Sequence, residues 1–198
     1  MNETQKGFTL IELLIVIGIT AFLFAALIIT LNPAELLRQA RDSTRISDLS
    51  NIRNAIAMYL ADVSSPNLAS STGGYANCYT SATATTCLGN GVGAAGFGTI
   101  TPTSTQSANR RNNNGTGWLP VNFTQLSSGA PFGQLPVDPT NDATHYYGYA
   151  ATSTNLSFKL TANGIESAKF GSGGSADVVN NDGGNYGNIY EVGTLLSL

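Results

Sequence analysis

Charge is scarce in this chain: Lys and Arg number 9, Asp and Glu 12, and the formal net charge is −3 over 198 residues. Without a basic excess there is no electrostatic case for general nucleic-acid binding, and no specific nucleic-acid site is evident. Histidine is almost missing, since His145 is the sole one. No Gly-x-Ser-x-Gly, His-Glu-x-x-His or Gly-Lys-Ser/Thr pattern occurs, so hydrolase, zinc-protease and P-loop chemistries lack their residues. The scattered carboxylates fall in turn-like stretches, and the expectation is that the chain is not an enzyme and holds no catalytic set. Cysteine is limited to Cys78 and Cys87, with no His or further Cys at ligand spacing beside them, which argues against zinc. In an exported domain these two would close a short disulfide loop, with two free thiols as the alternative. Gly91-Val-Gly93-Ala-Ala-Gly96 fits the dinucleotide fingerprint in letters only, because it lacks the strand before it, the helix after it and the acid about 20 residues on.

What the chain does have is one long apolar run. From Phe8 to Leu31 the only ionisable side chain is Glu12. About 24 residues, roughly 36 Å as a helix, would span a bilayer. An ionised carboxylate inside such a segment costs on the order of 3 kcal/mol, so Glu12 requires a partner or a route to the interface. Lying near one end of the run, it would reach the interface by snorkelling. A cut after Gly7 offers a second solution, because it would create an α-amino cation on Phe8 able to pair with Glu12 of a neighbouring copy.

The stretch Lys6-Gly7-Phe8-Thr9-Leu10-Ile11-Glu12, after a short polar leader, resembles the class III signal of type IV pilins and type II secretion pseudopilins. The resemblance implies cleavage between Gly7 and Phe8 by prepilin peptidase, N-methylation of Phe8, and a role for Glu12 in assembly. It differs from a secretory signal, whose small-residue cleavage site follows the apolar core, so here the apolar helix stays on the mature chain. The resemblance places residues 1–7 in the cytoplasm. The basic-residue count across the helix, with Arg38, Arg41, Arg45 and Arg53 after it, would favour the reverse orientation.

After Leu31, Asn32-Pro33 should kink the helix or start a second one, with Asn32 as N-cap and Pro33 at the first position. Leu36, Leu37, Ala40, Leu49, Ile52, Ile56, Tyr59, Leu60 and Val63 form an apolar stripe. Arg38, Arg41, Asp42, Arg45, Asp48 and Arg53 fall mostly off it and read as a solvated face. Ser-Ser-Pro near position 66 stops the helix. Residues 67–117, rich in small and polar types, read as a long surface loop pinned partly by the cysteines. Leu135-Pro136-Val137-Asp138-Pro139 resembles an element of major pseudopilins that precedes the sheet. Tyr146 to Ala162 alternates about a turn at 153–155, as a hairpin would, with Leu156, Phe158, Leu160 and Ala162 facing the helix. A third strand is expected at 188–192 or 194–198.

The expected fold is therefore α+β and pilin-like: a long N-terminal helix, its apolar half protruding and its amphipathic half packed on a small antiparallel sheet. Residues 1–7 would be leader, 8–31 the transmembrane or filament-core helix, 32–65 the amphipathic half, and 66–198 a loop-rich head. No cofactor is required, although Asp177, Asn180 and Asp182 form an oxygen-rich loop where the resemblance to major pseudopilins allows calcium; plain turns explain the same residues. The implied function is a structural subunit of a homo-oligomeric helical filament, handled by prepilin peptidase and a pilus or secretion assembly machinery. The precursor would reside in the inner membrane as a single-pass protein and the filament outside it or in the periplasm. A secretion pseudopilin and a membrane-tethered binding module that never polymerises are the alternatives.

Overall fold

The computed structural model describes residues 7–68, 78–82, 103–104, 108–151 and 155–196. The chain divides into two compact units, Met1–Leu37 and Arg38–Leu198. The first is built on helix α1, Leu10–Leu31. Its polar hydroxyls are satisfied within the helix, Thr20 donating to the Val16 carbonyl and Thr30 to that of Ala26, both at 2.9 Å, as an apolar surrounding demands. Every helix residue whose burial is described is exposed, and Leu10–Ile28 is long and apolar enough to cross a membrane.

The break falls where Asn32-Pro33 places it. Asn32 adopts the left-handed conformation, φ 42°, which ends α1. Helix α2 then runs Pro33–Asp62, with the Glu35 and Leu36 amides donating to the Asn32 carbonyl. Asn32 thus closes one helix and opens the next, and Pro33 sits at a first-turn position where its missing N–H costs little.

In the second unit, α2 buries Leu49, Ile52, Ile56 and Tyr59 of the expected stripe, and Ala55 with them. The stripe does not extend to its first members: Leu36, Leu37 and Ala40 are exposed, and burial begins at Asp42. The core continues through Trp118, Leu119, Val121, Phe123 and Leu135 to the sheet residues Tyr147, Tyr149, Phe158, Leu160 and Ala162. Tyr59 meets Phe123 edge to face at 6.2 Å between centroids, an aromatic contact of preferred geometry.

The sheet has five strands: β1 Cys78–Thr80, β2 Thr103–Ser104, β3 Tyr147–Ala151, β4 Phe158–Asn163 and β5 Ile189–Gly193, ordered β2-β1-β3-β4-β5. Strands β1, β3, β4 and β5 pair antiparallel, while β2 lies parallel to β1. The β3–β4 hairpin sets Tyr149 opposite Leu160 and Tyr147 opposite Ala162, so the expected face does meet the core. Residues 153–154 of its turn lie outside the described residues.

One expectation is corrected here. Residues 67–117 are not loop alone, because β1 and β2 come from that segment and extend the sheet beyond β3. Short strands of low apolar content owe their form to the edge of β3 rather than to their own propensity. The Gly91–Gly96 match lies outside the described residues.

Candidate functional site

At the N-terminal end the backbone before α1 is extended and open. Gly7 has no neighbour within 4 Å of where a Cβ would stand, and Phe8 is 90% exposed. A peptide bond flanked by a small, unobstructed residue and an exposed aromatic is accessible to a processing enzyme. Thr9 caps α1: its hydroxyl accepts from the Glu12 amide at 3.3 Å, and Glu12 Oε2 accepts from the Thr9 amide at 3.0 Å and hydroxyl at 2.9 Å. This reciprocal capping box satisfies two helix-end donors. It also turns the carboxylate back toward the chain start. Oε2 takes both bonds.

A second constellation joins α2 to the loops beside the sheet. Arg45 is fully buried, and its guanidinium donates to Asp138 Oδ2 at 2.7 Å and Oδ1 at 3.0 Å, to Asp42 Oδ1 at 2.7 Å and to Glu166 Oε1 at 2.8 Å. Burial lowers the Arg45 pKa, but the Asp138, Glu166 and Asp42 carboxylates outweigh it and the net direction is upward. The Glu166 carboxyl is drawn down to about 2, first by the Arg41 guanidinium and then by Arg45, which together outweigh the opposing effect of its burial. Asp42 in turn accepts the Ser167 amide at 2.7 Å and the Glu166 amide at 3.1 Å. Tyr147 donates its hydroxyl to Asp48 at 2.8 Å, and burial raises the Asp48 carboxyl.

The expected solvated face is thus corrected: Asp42 and Arg45 are wholly buried. Asp42 lies one turn from Arg45, but such a pair is equally at home on a solvated face, and the partners that bury it, Asp138 and Glu166, lie 93 and 121 residues away. The one signal was Leu135 to Pro139. Leu135 enters the core, the Pro136 carbonyl accepts the Trp118 indole N–H at 2.8 Å, and Asp138 receives Arg45 while capping Thr140 at 2.8 Å. His145 lies at the edge of this network, Nδ1 3.1 Å from Asp142 and Nε2 3.8 Å from Glu166.

Among comparisons with known proteins, residues 4–28 match the prokaryotic N-terminal methylation motif. This chain carries the class III signal of type IV pilins and pseudopilins. No curated protein and no solved structure matches the chain. The class III signal therefore covers Gly7, Phe8, Thr9 and Glu12 and the first part of α1, and it points to a structural protein. Signal and single apolar helix together fit a membrane-anchored precursor.

The other singled-out residues lie apart from the class III signal in sequence. Cys78, on β1, is disulfide-bonded, and Cys87 lies outside the described residues. Asp177 spends its carboxylate on the amides of Gly173, Val179 and Asn180, and Asn180 donates its side-chain amide to it at 2.7 Å. Asp182 instead accepts the Gly184 and Glu191 amides. The described residues contain no group of three His, Cys, Asp or Glu arranged to hold a metal ion.

Proposed function

We propose that this chain is a structural subunit of a type IV pilus-like filament. Prepilin peptidase cuts between Gly7 and Phe8 and methylates the new Phe8 amine, and the mature chain waits in the inner membrane through α1. In the filament, Glu12 of one copy pairs with the Phe8 amine of the next, and the exposed apolar helix supplies the contact area. Unlike ends of the same helix then meet, a heterologous contact that propagates without closing. The observation carrying this reading is the coincidence of the methylation motif, residues 4–28, with a helix exposed along its length. Cys78 and Cys87 form one disulfide in the exported head.

Mass spectrometry of the N-terminus tests the processing step: methylated Phe8 is expected, and an intact Met1 in cells with active peptidase refutes it. Glu12→Ala should abolish or sharply reduce filaments, and a variant with normal filament abundance sinks the assembly role. A second reading, a pseudopilin of a type II secretion system, draws support from Leu135 to Pro139. Deletion would then block export of other proteins while removing no visible fibres, and electron microscopy separates the two.

A further inference from the structure

Lys159 occupies a position where a lysine is costly. It lies on β4 between Phe158 and Leu160, which face the apolar core, so alternation sends it to the opposite face of the sheet. Its side chain is fully buried there. A buried ammonium persists only when oxygens surround it. Its Nζ pairs with Glu191, donates to the Leu196 carbonyl at 2.8 Å and to Asn185 Oδ1 at 3.2 Å, and lies 4.8 Å from the centre of the Tyr186 ring.

Glu191, on β5, is fully buried as well and pairs across from Thr161, two residues from Lys159 and on the same face. Its Oε2 accepts the Asn185 amide at 2.8 Å and the Tyr186 amide at 3.1 Å. Asp182 holds the Glu191 amide at 2.7 Å and the Gly184 amide at 2.8 Å. A side chain at Gly184 would collide with the Glu191 carboxylate, so the loop passes as close to this acid as backbone can. The loop thus converges from 182, 184 to 186 and 196 on one carboxylate and one ammonium.

We propose that Lys159 is the resident cation of the C-terminal loop, and that the fold of residues 182–196 is independent of divalent metal. The oxygen-rich stretch that suggested calcium has its carboxylates committed elsewhere, Asp177 and Asp182 to backbone amides and Glu191 to Lys159 and two amides. Calcium takes 6–8 oxygen ligands, and these residues do not offer that set. The ammonium supplies the positive charge that closes the loop against the sheet.

The test is thermal unfolding of the full chain in detergent, followed by circular dichroism, with added calcium chloride and with EDTA. The wild type should melt at the same temperature in both. Lys159→Met keeps the aliphatic stem but strands Glu191, and should melt about 10 °C lower in both. Lys159→Met with Glu191→Gln leaves neither charge buried and should recover at least half of that loss. A wild-type melting temperature that rises with calcium or falls with EDTA overturns the proposal, as does a single variant as stable as the wild type, or a double variant as unstable as the single. If Lys159→Met does not fold, the wild-type arms and the double variant decide.

Discussion

Replacing Arg45 by Met should be among the most damaging single changes in the head. The substitution keeps an unbranched apolar stem in place and deletes five donors. It strands Asp42, fully buried, and Asp138, 2% exposed, both of which face the guanidinium at 2.7 Å. Breaking one buried pair costs about 3–5 kcal/mol, because the remaining charge keeps its desolvation penalty. Two carboxylates lose the same partner here, so at least about 4 kcal/mol is expected, offset in part because Asp138 keeps Thr140 and Asp42 keeps two backbone amides. In a unit of this size 1 kcal/mol shifts the melting temperature by about 2–4 °C, which gives a fall of about 8–16 °C. The assay is thermal unfolding of the full chain in detergent at pH 7. Arg53→Met is the control, since Arg53 lies exposed on the same helix, and it should move the midpoint by under about 2 °C. An Arg45→Met variant within that same range of the wild type would falsify the reading of this cluster as the lock between α2 and the loops.

Further expectations concern acid, packing and redox state. Glu166 has its pKa depressed from 4.5 to about 2, so its contribution is fully present above the unfolded value and is lost as pH falls from about 4.5 to 2. Melting temperature measured across that interval should drop, and less steeply in Glu166→Gln; parallel curves would refute the assignment. Trp118→Ala removes a fully buried ring and its bond to the Pro136 carbonyl, a loss of about 3–5 kcal/mol in urea unfolding, and a loss under 1 kcal/mol would contradict the packing. Reducing the disulfide of Cys78 should destabilise the head by about 2–3 kcal/mol, seen as a lower midpoint in dithiothreitol; an unchanged midpoint would show that the bridge constrains little.

The elements that carry their own periodicity were readable in the sequence. The run ending at Leu31, the stripe from Leu49 to Tyr59 and the alternation of Phe158, Leu160 and Ala162 each announce a buried or membrane-facing surface through local spacing. Strands β1 and β2 were not readable, because three and two residues carry no period and take their form from pairing. Strand β3 is buried on both faces, so only its aromatics marked it. The ionic cluster at Arg45 and the pair Lys159–Glu191 were invisible for a different reason. Of the partners that make these buried charges tolerable, only Asp42 shares an element with its cation, whereas Asp138, Glu166 and Glu191 lie far along the chain. At the N-terminus the opposite holds, since Gly7, Phe8, Thr9 and Glu12 are consecutive or nearly so and their pattern can be recognised in the chain alone.

Among the described residues, helix α1 contributes nothing to the buried set, whose first member is Asp42. A substitution among the α1 residues whose burial is described changes an exposed surface and removes no member of the buried set. A substitution in the head is judged by packing and buried charge, and leaves the helix surface as it was. Residues 4–28, which carry the methylation motif, thus overlap the exposed helix and none of the buried set.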